Sequence, residues 1–176
     1  MFKPFSDNII FFDTEFSSLN PYEGELLSVG LVKLDGRELY LELEYDGKVS
    51  DWVRENVIQF LTEKKVSREE AAERIKEFVG KNKPYVISHV NQFDAVYFYK
   101  LVGTENTPFF WIPIDFASIL FALGMDPGFY HLRDENDFYD SLEMARPQNY
   151  RKHHALDDAK LLREVYLKFL EKRAKA

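Results

Sequence analysis

Residues 9–12, Ile-Ile-Phe-Phe, are β-branched or aromatic at every position and run directly into Asp13-Thr14-Glu15. Such a run reads as a central strand buried on both faces, so the fold must cover that strand from two sides. Side chains two apart on a strand share a face. Asp13 and Glu15 therefore project together and Thr14 points the other way. Two adjacent carboxylates repel, and each raises the pKa of the other. A divalent cation would relieve that cost. A strand that simply ends in polar residues at the surface accounts for the pair equally well.

Further strands and helices follow at short intervals. Residues 26–34 read as a second strand, Asp35-Gly36 as a tight hairpin turn, and residues 37–43 as the returning strand. Ser50 or Asp51 can cap a short helix to about Leu61, and Ser67-Arg68-Glu69-Glu70 is a capping box for a helix to about Val79. Residues 84–88 read as a strand, 91–102 as a helix with Gly103 at its C-cap, and 109–114 as another strand. Asp115 can cap a helix to Leu123, residues 124–150 read as mostly loop with one short helix, and residues 155–172 as the last helix. An early meander followed by strand–helix alternation predicts an α/β fold: a mixed sheet with helices on its faces. The length of 176 residues fits one domain, 1–176, with a substantial core.

Composition narrows the function classes. Hydrophobic residues make up 45% and aromatics 16%, which argues against disorder. No stretch approaches the roughly 20 apolar residues of a membrane span. Residues 1–8 lack the features of a signal peptide, and the absence of cysteine excludes disulfides and thiolate chemistry. A cytoplasmic protein is expected. The net charge of −7 opposes nucleic-acid binding at first sight. A carboxylate-held metal reverses that locally, and the charge is uneven. Residues 144–154 contain Arg146, Arg151, Lys152, two histidines and no acid, although a solvated loop explains that stretch as well.

Two more acids fall on inward helix faces. From Asp94, steps of three, four and seven reach Tyr97, Phe98 and Leu101, an apolar face. With Asn91 as N-cap, Asp94 would also be favoured at that place by the helix dipole. In the last helix, Asp157 shares a face with Lys160, Glu164 and Lys168, whereas Asp158 shares one with Leu162, Val165 and Phe169. Periodicity thus selects Asp158 as the inward carboxylate. His153 precedes it by five residues and can act as a base near neutral pH. Its neighbour His154 is chemically equivalent. Oxygen ligands of this kind suit Mg²⁺ or Mn²⁺.

Asp13-Thr14-Glu15, Phe93-Asp94 and His153-His154-Ala155-Leu156-Asp157-Asp158 stand in the order of three known motifs. They resemble the DEDDh branch of the DnaQ-like 3′–5′ exonucleases, which share the ribonuclease H-like fold. The third motif, His-x-Ala-x-x-Asp, assigns the histidine as His153 and the acid as Asp158. The resemblance implies a five-stranded mixed sheet flanked by helices, two metal ions held by Asp13, Glu15, Asp94 and Asp158, and His153 as general base. It implies hydrolysis from a single-stranded 3′ end with release of nucleoside 5′-monophosphates. It also implies terminal-sugar contacts from Glu15 and the backbone near Phe16. The Phe16 ring can stack on the terminal base or belong to the core, and Arg146, Arg151 and Lys152 can hold phosphates. Many relatives have asparagine where this chain has Val90, and Asn91 either substitutes for it or caps the helix. The length, the Asp-Thr-Glu-Phe opening and the Asp-Gly hairpin look most similar to small bacterial and phage exoribonucleases. RNA is therefore the expected substrate and a homodimer the expected assembly. A DNA proofreading or repair exonuclease is the alternative, and a non-catalytic nucleic-acid-binding module a remoter one.

Overall fold

The computed structural model describes residues 3–128, 139–145 and 148–175. The five strands are β1 (Ile9–Phe16), β2 (Leu26–Lys33), β3 (Glu38–Glu42), β4 (Tyr85–Ser88) and β5 (Ile114–Asp115). The helices are α1 (Asp51–Asn56), α2 (Arg68–Val79), α3 (Gln92–Val102), α4 (Phe116–Ala122) and α5 (Ala155–Lys175). They form one sheet in the order β3-β2-β1-β4-β5. β1, β2 and β3 make an antiparallel meander, and β4 and β5 add in parallel beyond β1. This is the mixed, helix-flanked sheet expected from the sequence. Among the described residues, no helix is long and apolar enough to cross a membrane.

Strand alternation divides the core. Ile9 and Phe11 face Ala159, Leu162, Val165 and Tyr166 of α5. Ile10 and Phe12 face Ile75 of α2 and Tyr97 and Phe98 of α3. Both phenylalanines are fully buried, each contributing about 1.5–3 kcal/mol. β1 is thus central, as its composition required, and it continues straight through the acids to Phe16.

Local signals set most boundaries. Ser50 and Ser67 cap α1 and α2 by accepting from Val53 N and Glu70 N. The 33–37 turn closes with Gly36 at φ 91°. One expected strand is shorter than predicted: of residues 109–114, only Ile114 joins the sheet, together with Asp115. Pro108 and Pro113 bracket that segment. Proline has no N–H for a ladder and restricts the residue before it, so the chain pairs only after Pro113. Within the predicted 124–150 loop, residues 139–141 make a single helical turn.

One glycine determines how closely α5 approaches the sheet. Gly30 pairs with Asp13 across the β1–β2 ladder. A Cβ at Gly30 would lie 2.3 Å from Ala155 O and 2.5 Å from Leu156 Cα. Without that side chain, the first turn of α5 rests directly on β2, beside Asp13.

Candidate active site

Asp13 and Glu15 project from the α5 face of β1, and Asp158 meets them from the first turn of α5. One carboxylate oxygen from each of the three lies within 4.8 Å of the others. Glu15 and Asp158 are buried and Asp13 is half-buried. Burial pushes the Asp13 and Glu15 carboxyls well above the usual carboxylate range, and Asp94 and Asp158 push them further. Asp158 is raised to about 7, chiefly by loss of hydration, against a hydrogen bond donated by the Tyr150 hydroxyl. The charges acting on this group are other carboxylates. Buried oxygen donors with uncompensated negative charge fit a hard divalent cation.

Asp94 reaches the same place by a different route. β4 pairs with β1 only as far as Phe11↔Ile87, so beyond Phe11 that edge of β1 has no strand beside it among the described residues. Asp94, in the first turn of α3, replaces the missing partner: its Oδ1 accepts from Thr14 N at 2.9 Å and from Thr14 Oγ1 at 2.6 Å. Thr14 points away from the acid pair, as alternation required, and holds the fourth acid. Asp94 is also raised to about 7, chiefly by burial, while the two bonds from Thr14 pull the other way. It falls outside the 4.8 Å group of three.

All four acids line one cleft of about 1190 Å³, larger than the roughly 300–1,000 Å³ of small-ligand pockets and open enough for a chain end. His153 lines it too, with the Trp52 ring edge-on at 5.0 Å. Loss of hydration, then Lys152, holds the His153 imidazole below its ordinary pKa, so the ring is neutral at pH 7 and can accept a proton. His154 lies elsewhere. It is buried against Tyr40 at 4.5 Å, and its Nδ1 accepts from Asp157 N.

The other residues singled out from the sequence are spread more widely. Phe16 lines the cleft but stacks one face on Tyr97, with centroids 4.5 Å apart. Arg151 is turned away from the cleft: its guanidinium binds both oxygens of Asp157 at 2.8 and 3.2 Å, and it lines a separate cavity with Tyr40, Glu42 and His154. Asp157 is accordingly ion-paired and partly buried. Lys152 is exposed beside His153, and Arg146 lies outside the described residues. Asn91 takes the N-cap place of α3 without a side-chain hydrogen bond to the helix.

Nothing in the sequence marked a part in the site for Thr14, Tyr150, Lys48 and Trp52, and Val90 stood out only as a departure from the asparagine of many relatives. Lys48 and Trp52 line the cleft because Tyr45 OH binds Lys48 O and Ser50 caps α1. Trp52 remains 53% exposed. No periodicity marks a residue on so short a helix.

Residues 10–166 match the RNase T exonuclease family. The chain belongs to that family. Its motifs and mixed sheet place it among the DEDDh, DnaQ-like exonucleases. No curated relative matches the sequence. The fold is similar to E. coli exonuclease I in complex with a dT13 oligonucleotide: TM-score 0.69, 14% identity, 94% of this chain and 41% of that one. For the zinc-bound E. coli exonuclease I complex with single-stranded DNA, the values are 0.68, 14%, 94% and 40%. A chain from the yeast NOT1 MIF4G–CAF1 co-crystal matches at TM-score 0.61 and 11% identity, over 95% of this chain and 81% of that one. The chain spans about 40% of the length of exonuclease I.

Proposed function

We propose that this member of the exonuclease family is a metal-dependent 3′–5′ exoribonuclease that releases nucleoside 5′-monophosphates from single-stranded RNA ends or 3′ overhangs. The observation that carries this reading is the convergence of Asp13, Glu15 and Asp158 within 4.8 Å, in a cleft that also holds His153. Two Mg²⁺ or Mn²⁺ ions, held by Asp13, Glu15 and Asp158 with Asp94 beside them, would supply Lewis-acid assistance to the attacking water and to the leaving 3′ oxygen. His153, neutral at pH 7, takes the proton from that water. Thr14 fixes Asp94 by two hydrogen bonds, and Tyr150 orients Asp158. Trp52, and the part of the Phe16 ring that lines the cleft, offer surfaces on which bases stack without regard to sequence. Lys48 supplies a cation for a substrate phosphate.

The preference for RNA rests on the resemblance to small exoribonucleases. The rival reading, an exodeoxyribonuclease, draws support from the similarity to exonuclease I structures that hold DNA oligonucleotides. Side-by-side digestion of 5′-labelled single-stranded RNA, single-stranded DNA and a 3′-overhang duplex decides between them. Asp13→Asn should abolish metal-dependent mononucleotide release while preserving the circular dichroism spectrum, and retained activity would remove the assignment.

A further inference from the structure

Among the described residues, five non-glycine residues have positive φ, and two of them, Val90 at 59° and His153 at 64°, line the cleft. For valine this is a true outlier, because its branched Cβ crowds the backbone in the left-handed region. The surroundings impose it. Val90 N donates to Asp115 Oδ1 at 2.9 Å, and Asp115 is committed to capping α4 through Ser118 N. On the preceding residue, His89 Nε2 lies 3.0 Å from Pro127 O. The bend turns the chain from β4 into α3 and so delivers Asp94. Glycine or asparagine would make the same bend at lower cost. Nor does the valine side chain repay its strain by burial, since Val90 is 40% exposed. A strained, β-branched residue left 40% exposed recovers only part of that cost from burial, and strain of this kind concentrates where a ligand is held.

We propose that Val90 is a specificity-determining residue that packs its isopropyl group against the sugar or base of the 3′-terminal nucleoside. An isopropyl group has no donor for phosphate, so its partner is the carbon surface of the nucleoside. This inference rests on the exonuclease reading of the cleft. It is tested by melting temperature and by steady-state kinetics on a 5′-labelled oligonucleotide for Val90→Asn and Val90→Thr. Val90→Asn relieves the strain and should melt roughly 2–6 °C higher. It loses the apolar contact and should raise KM about 5–10-fold with little change in kcat. Val90→Thr keeps both shape and strain, and should stay near wild type in melting temperature and within about 3-fold in KM. A Val90→Asn protein that is no more stable, or that is more stable with KM unchanged or lowered, overturns the proposal while the exonuclease reading stands. A wild type that degrades no oligonucleotide overturns both.

Discussion

Replacing Asp158 with asparagine should make the metal-free protein more stable and at the same time inactive. The folded state raises the Asp158 pKa from 3.8 to about 7. The folded protein therefore binds that proton more tightly than the unfolded chain, so stability is lost as pH rises from 3.8 through about 7. At about 1.4 kcal/mol per pH unit, the ionised group costs at most about 4 kcal/mol at pH 8. The asparagine amide still suffers part of the burial cost, and its carbonyl oxygen still accepts from Tyr150. About half that figure, ~2 kcal/mol, is the expected net gain. For a chain of this size that corresponds to roughly 4–8 °C in melting temperature. Thermal unfolding followed by circular dichroism in EDTA, at pH 5 and pH 8, measures it. The gap should be larger at pH 8 than at pH 5, where the folded carboxyl is still protonated and only the lower part of the 3.8-to-7 interval has been crossed. Millimolar Mg²⁺ should then raise the melting temperature of wild type by mass action and leave the variant little changed. An Asp158→Asn protein less stable than wild type at pH 8, or a gap equal at both pH values, would refute the account of a charge-crowded metal centre.

The histidines, the cleft wall and the approach of α5 each lend themselves to a similar check. His153→Ala should lose on the order of 10²–10⁴-fold in kcat; His154→Ala, which removes a ring packed on Tyr40, should lose stability instead, and the reverse pattern would misassign the base. Trp52→Ala should raise KM for oligonucleotides by roughly 5–50-fold, as expected for one lost stacking contact, while kcat changes little. In a Trp111→Phe background, oligonucleotide binding should quench Trp52 fluorescence, and an unaltered signal would remove Trp52 from the substrate path. Gly30→Ala places a methyl group against the backbone of Ala155. It should cost about 1–3 kcal/mol in chemical denaturation and separate Asp158 from Asp13, with a matching loss of activity. Full activity in a destabilised variant would show that the close approach serves packing alone.

Patterns repeated along the chain determined much of the outcome. The Ile9–Phe12 run identified the central strand because only a strand covered on both faces can use four such residues in succession. Alternation put Asp13 and Glu15 on one face, and helix periodicity separated Asp158 from Asp157. Cap chemistry at Ser50, Ser67 and Asp115 started three helices near their observed ends. These signals are local, set by the pitch of a helix or the pleat of a strand, and they survive in a linear reading.

Only the tertiary structure decided which groups share the cleft. Arg151 looked like a phosphate ligand because its segment carries no acid between residues 144 and 154; folding supplies one from Asp157, just beyond. Thr14 acquired a part in the site because β4 ends early and leaves the β1 edge to Asp94. Lys48 and Val90 reach the cleft from loops and Trp52 from a helix of six residues, and no period survives in either. The Asp-Thr-Glu segment was visible as a pair of acids on a buried strand. That those acids meet Asp158 depends on an absent side chain at Gly30, which lets α5 settle against β2.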